Sequence, residues 1–346
     1  MNEHIKHLEE PLYVGDINNV NLNFIDIVYS KQFSIKIDGS PSIFFGRDDG
    51  KFFIATKSIF NKNKKLYFST KEIDNNVNDA ELAQKLKNCF ERLKYDFTEN
   101  IIYQADLISW TKNINGVYQP NIIQYKLDND NDINFSIHTS YYDLNLVEKE
   151  YNDDIFHECN HNNTVKIDDN LFEKMLGKYH EWQENVFYFK KHIHDENLHK
   201  VKLLSTKDIP IERYFNNCIR AHIVPSKKSF NDWFIEKHFN AATLKKKNFN
   251  QTEYLYFIEN SINIYNEDWF NYYIEMYNYT TDFKNNIIED LDEYVKCTKL
   301  DNHVTSFDIL NINNNHEGYV FNANCKKIKM VNRDEFSYHN FMKHGG

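Results

Sequence analysis

The hydrophobic pattern of this 346-residue chain changes period twice, and that limits the folds open to it. Up to about residue 145 the apolar residues alternate or run continuously over short stretches, the signature of β-strands. Residues 33–38, 42–46, 51–57 and 101–108 read this way, as do the later segments NIIQYKL and INFSIHTSY. Arg47-Asp48-Asp49-Gly50 is a hairpin turn, because Asp-Gly tolerates the positive φ that such turns need. A short helix is expected over 20–30 and a longer one over 79–94, capped by Asp79. From about 168 to 300 the spacing becomes helical, as in NLFEKMLGKYHEWQENVFYFKKHIHD (170–195), FNDWFIEKHFNAATLKKK (230–247) and the run from Glu253 to Lys296. The strand pattern returns in HEGYVF (316–321) and KKIKMV (326–331). Strands at both ends around a helical middle predict an α+β chain: a sheet domain from 1–165 and 301–346, with 166–300 as a helical insertion or accessory domain.

Composition narrows the function classes. Hydrophobic residues make up 41% of the chain, enough for a sizeable core, and only 9 Gly and 5 Pro exclude a fibrous or low-complexity chain. A net charge of −10 excludes binding nucleic acid by bulk charge, so any polynucleotide contact must come from a local patch. The five cysteines lack CxxC spacing, which suits buried thiols in a reducing compartment. The N-terminal MNEHIKHLEEPL lacks an apolar core and no window approaches ~18 apolar residues, so neither a secretion signal nor a membrane span is expected. The expected location is the cytoplasm, or the host cytoplasm if the source is viral. His157-x-Cys159-x-His161 has period-two spacing but no second ligand pair, so a polar loop is expected there rather than zinc. Lys227-Lys228 and Lys245-Lys246-Lys247 read as solvated helix faces.

One constellation does not fit a structural role. Lys36 and Asp38 share a strand face in KIDG, Lys57 closes the next hairpin, Asp106 sits in an apolar strand, and Glu317-Gly318 opens another. Lys327 and Lys329 share a face near the C-terminus. A core does not hold several lysines and carboxylates unless they pair or face a polar ligand. In order and type these segments resemble the covalent nucleotidyltransferase superfamily of ATP-dependent DNA ligases, RNA ligases and mRNA capping enzymes. KIDG resembles its first motif (KxDG), FIATKS the next strand-end motif, YQAD the third, EGYVF the fourth (EGxV) and KIK the fifth (KxK). The resemblance covers about 1–145 and 305–340. KIDGSPSIFFG, HIKHLEEPL and VNRDEFSYHNF also resemble uncharacterised ligase-like proteins of tailed phages.

The resemblance implies an antiparallel-sheet, ATP-grasp-like adenylation domain, with ATP and Mg²⁺ as cofactors. Lys36 would attack the α-phosphorus of ATP and form a lysyl-AMP phosphoramidate. A free lysine, with a pKa of about 10.4, is mostly protonated at neutral pH, and cationic neighbours such as Lys327 and Lys329 would lower that value and neutralise the phosphate. Asp106 and Glu317 would take ribose hydroxyls or Mg²⁺. Asp38 would hold the loop, and Gly39 would let backbone approach the nucleotide. Lys57 stands where the family has a phosphate-binding arginine, without that residue's bidentate fork. Phe135 or His138, on opposite faces of a regular strand, would stack on the purine. Asp106 replaces the family's usual Glu, shorter by one methylene.

About 17 residues follow Lys329, too few for the OB-fold of DNA ligases and capping enzymes. The expected function is therefore an RNA-type ligase joining 5′-phosphate and 3′-hydroxyl ends, with RNA favoured over DNA as partner and no membrane partner. The alternatives are a nucleotide- or nucleic-acid-binding protein that keeps the fold without turnover, and a DNA ligase or capping-type enzyme.

Overall fold

A computed structural model describes residues 6–36, 39–111, 117–120, 124–127, 133–146, 164–193, 209–238, 250–297, 307–310, 317–323 and 326–333. The first half contains β1 (Lys6–His7), α1 (Ile17–Val28), β2 (Gln32–Ile35), β3 (Ser42–Asp48), β4 (Lys51–Ala55), α2 (Thr70–Asn76), α3 (Ala80–Asp96) and β5 (Ile102–Ser109). Next come β6 (Val117–Tyr118), β7 (Gln124–Leu127), β8 (Asn134–Tyr141) and β9 (Thr164–Lys166). The helices α4 (Asp169–Ile193), α5 (Pro210–Ala221), α6 (Lys227–His238), α7 (Gln251–Ile264) and α8 (Glu267–Cys297) follow. The last strands are β10 (Phe307–Leu310), β11 (Gly318–Ala323) and β12 (Lys326–Val331). The chain is thus α+β, with antiparallel sheets as its main strand arrangement.

Two compact units form. The first is drawn from Met1–His4, Phe33–Val165 and Thr298–Val320, the second from Ile5–Gln32, Lys166–Cys297 and Phe321–Gly346. These divisions differ from the expected cuts after 165 and 300, because α1 joins the helices: its apolar face packs on α4, with the Phe24 and Trp182 rings 4.5 Å apart.

In the first unit the order β4-β3-β5-β8 makes an antiparallel sheet. Asp49 (φ 48°) and Gly50 (φ 75°) form the β3–β4 turn read from the sequence. Strand alternation sorts the side chains between two faces. Ile43, Phe45, Phe52, Ile54, Tyr103, Ala105, Leu107 and Phe135 share one core with Leu86, Phe90 and Leu93 of α3. The opposite face carries Phe44, Phe53, Ala55, Ile102 and Tyr141 under Ile59 and Phe60. Asp79 caps α3 as expected, its carboxylate accepting the Leu82 N–H at 3.0 Å. A second antiparallel sheet has the order β10-β7-β6.

In the second unit α4 lies along α8, and buried Trp182 donates its indole N–H to Thr280 at 3.4 Å. Phe230, Tyr214, Tyr265 and Phe270 interlock as a second aromatic core. Burying such a side chain contributes about 1.5–3 kcal/mol. β1 runs parallel to β12, with His7 opposite Lys329. Among the described residues no helix is long and apolar enough to cross a membrane.

Candidate functional site

β2 positions Lys36. Its strand lies beside the start of β11: the Lys36 N–H donates to the Gly318 carbonyl at 2.8 Å and the Ser34 hydroxyl to the Val320 carbonyl at 3.4 Å. The buried rings of Phe33 and Tyr319 meet edge to face at 5.1 Å and lock this register. Gly318 sits at φ 137°, a conformation that L side chains rarely adopt, which explains the glycine of EGYV. Two segments 281 residues apart in sequence are thereby held side by side, and the Lys36 ammonium forms an ion pair with the Glu317 carboxylate. The side chains are 15% and 14% exposed. That is enough burial to strengthen the pair over a surface ion pair, and it leaves part of each side chain in contact with solvent.

Gly39, three residues after Lys36, lies against the backbone of Asp106. A Cβ at Gly39 would come within 2.6 Å of the Leu107 carbonyl oxygen and 2.8 Å of the Asp106 carbonyl carbon, so only glycine fits. Ser40 N–H donates to Leu107 O at 2.8 Å, and Leu107 N–H to Pro41 O at 3.1 Å. Asp106 itself is half-buried on the sheet face opposite the α3 core, since its neighbours Ala105 and Leu107 point into that core. The register sets Ser42 on one side of Asp106 and Ser136 on the other. This polar row includes the Ser42 hydroxyl, which is shielded from solvent and has no hydrogen-bond partner among the described residues. Gln104, two residues back on the same face, accepts the Tyr141 hydroxyl proton at 2.7 Å.

The first unit therefore brings together Lys36, Gly39, Asp106 and Glu317. Asp38 lies outside the described residues, as do His157, Cys159, His161 and Lys245–Lys247. Lys57 does not end a strand: β4 stops at Ala55, and Lys57 begins a 3-10 turn, Lys57–Phe60, with an exposed side chain. Phe135 is 5% exposed and packs against Phe45 and Phe97 in the α3 core. It faces away from Asp106, so the purine-stacking role expected of it is withdrawn. β8 is also not regular. Ala105 opposes Ile137 while Gln104 opposes Thr139, which makes His138 the extra residue of an irregularity; its side chain lies outside those described.

Lys327 and Lys329 belong to the second unit. Both are half-buried and share one face of β12, opposite buried Ile328 and Met330. Burial raises the Glu10 carboxyl above its ordinary range, opposed by the His7 N–H and by the charges of Lys329 and Arg333.

The sequence reading missed an ionic cluster in the same unit. Glu9, fully buried, pairs with the buried Lys284 ammonium at 2.9 Å and with Arg333 at 3.6 Å. Arg333 also donates to the Tyr13 hydroxyl at 2.6 Å and to Asn216. Burial alone would raise the Glu9 carboxyl, but Lys284 and Arg333 hold it below its ordinary value. Burial pushes the Tyr13 phenol up to about 12. No sequence signal marks partners 275 residues apart; only the adjacent acids of HLEEPL could have prompted a search.

Among the described residues no group of three or more His, Cys, Asp or Glu side chains is arranged to hold a metal. Asp106 and Glu317 supply hard carboxylate oxygens, the donor type that Mg²⁺ takes when substrate phosphates and water complete its shell. No curated protein matches the chain. The model of a family of unknown function, DUF6267, matches residues 2–344, and the chain belongs to that family.

Proposed function

We propose that this chain is an ATP-dependent polynucleotide ligase, acting on RNA in preference to DNA, whose first unit is an adenylation domain of the nucleotidyltransferase type. The observation that carries the reading is the meeting of Lys36 with Glu317, with Gly39 packed on the backbone of Asp106. Three segments matched to the first, third and fourth motifs of that superfamily converge within one unit. The roles of Lys327 and Lys329 follow from motif order alone.

In the first step the Lys36 nitrogen lone pair attacks the α-phosphorus of ATP. A P–N bond forms, the bond to the bridging oxygen breaks, and pyrophosphate leaves. The amine must first lose its proton, and the Glu317 carboxylate is the acceptor in contact with it. A 5′-phosphate oxygen of the polynucleotide then attacks the same phosphorus and releases the lysine amine. Finally a 3′-hydroxyl attacks the 5′-phosphorus and AMP leaves. Mg²⁺ held by Asp106 or Glu317 would offset the negative charge on the phosphates. The half-buried Asp106 carboxylate is the acceptor of the Ser42–Asp106–Ser136 row suited to a ribose hydroxyl.

The Lys36–Glu317 ion pair also favours a second reading. It holds the amine in its charged, unreactive form, as in a nucleotide-binding protein without turnover. Incubation with α-labelled ATP or GTP and Mg²⁺, followed by denaturation, separates the two. Label from ATP that is lost in Lys36→Ala supports the ligase. A folded protein that takes no label supports the binding protein, and label from GTP alone points to capping chemistry.

A further inference from the structure

We infer that the segment 57–71 is a docking surface for the phosphate backbone of a polynucleotide strand. Residues 50–71 contain six lysines and no acid, in a chain whose net charge is −10. Lys57, Lys62, Lys64, Lys65 and Lys71 are exposed. Among the described residues none of these five ammonium groups is held by an ion pair or a hydrogen bond. The first acid after them, Glu72, is engaged at the start of α2, where it accepts the Phe68 N–H at 2.9 Å.

The segment is built rather than loose. Ile59 is fully buried, and Phe60 packs edge to face on Phe44 at 5.1 Å. Tyr67 returns to the free edge of β4, exchanging hydrogen bonds of 3.0 and 2.9 Å with Ile54. Residues 61–65, NKNKK, are thereby presented between two fixed ends, all exposed. Like charges held together in this way repel one another, and a polyanion relieves that repulsion.

Position ties the patch to the candidate site. Ala55, the last residue of β4, opposes Phe44, and Ser42, two residues earlier in β3, opposes Asp106. The basic segment therefore leaves the sheet at the end where Gly39 meets Asp106. Polynucleotide is favoured over an anionic membrane because the exposed stretch 61–65 holds only Asn and Lys. Ammonium and amide groups suit phosphates and sugars, whereas membrane binding of a surface segment also needs apolar anchors. The partner class rests on the ligase reading.

The test uses the full chain, a fluorescent 5′-phosphorylated oligoribonucleotide and anisotropy over a series of salt concentrations. The variant Lys62→Gln/Lys64→Gln/Lys65→Gln leaves Lys57 and the site untouched. The slope of log affinity against log salt should become shallower by about 2, at ~0.7 per phosphate contact on a single strand. Affinity should fall alike across base sequences, while labelling by α-labelled ATP stays at the wild-type level. A slope unchanged from wild type overturns the proposal. So does lysine-dependent capture on phosphatidylserine vesicles without oligonucleotide binding. If the slope falls as expected but Lys36 never takes label, the docking surface stands and the ligase reading fails.

Discussion

Replacing Lys284 by Met tests the interior of the second unit. Glu9 is fully buried and the Lys284 side chain is 2% exposed, with 2.9 Å between the charged atoms. Orphaning one member of a buried ion pair destabilises by about 3–5 kcal/mol. Arg333, 3.6 Å from the same Glu9 oxygen, still compensates in part, which puts the expected loss near the lower end, about 3 kcal/mol. In the wild type the Glu9 carboxyl is held below its ordinary value. Its contribution is therefore present above the unfolded pKa of about 4.3 and is lost as pH falls through the folded value. In the variant, burial is less fully offset and the carboxyl shifts upward, so the neutral form is favoured. The variant should then regain stability relative to wild type as pH falls from 7 towards 5. Urea denaturation followed by tryptophan fluorescence reads this directly, since Trp182, Trp233 and Trp269 all lie in the second unit. A loss below about 0.5 kcal/mol, the range of ordinary surface substitutions, with an unchanged pH profile would refute the reasoning.

Three further outcomes are expected. Burial among Phe230 and Phe270 lowers the Lys227 ammonium to about 8, against a weaker opposing effect of Glu267. The folded-state value lies below the unfolded one, so its penalty is full below pH 8 and fades as pH rises towards the unfolded value. Lys227→Met should therefore stabilise by about 1–2 kcal/mol at pH 7 in urea melts, the gain narrowing at alkaline pH. Gly39→Ala drives a methyl into the Leu107 carbonyl. It should cost about 1–3 kcal/mol in urea denaturation followed by circular dichroism, which also reads the first unit, and abolish labelling by ATP, because residue 39 can no longer sit on the backbone of Asp106. Asp79→Ala removes the α3 cap and should lower stability by about 1 kcal/mol without changing labelling.

Much of the first unit was legible because its signals are local. The nearly continuous apolar run IIYQADLI, the Asp49-Gly50 turn and the Asp79 cap each act within a few residues, and all formed as read. The approach of Lys36 to Glu317 is a long-range contact that periodicity cannot give; it was legible only as the order of short motifs. Phe135 lies in the α3 core because alternation assigns two faces to a strand without saying which of them meets the site, and β8 is not the regular strand expected at His138. The irregularity at His138 depends on how β8 pairs with β5, which is not written in β8 alone. Lys57 lies beyond its strand because the Thr56 side chain accepts the Ser58 N–H and starts a 3-10 turn. The unit boundaries escaped notice because α1 looks the same whichever core its apolar face joins. The Glu9 cluster depends on residues from three distant parts of the chain.

The central claim is that the Lys36 nitrogen becomes covalently bonded to an adenylyl group. Peptide mapping by mass spectrometry after incubation with ATP and Mg²⁺ tests it most directly. The expected result is one AMP adduct, on the peptide containing Lys36, absent from Lys36→Ala and reversed by pyrophosphate. An adduct on another lysine, or an unmodified Lys36 peptide from folded protein saturated with ATP, would contradict it.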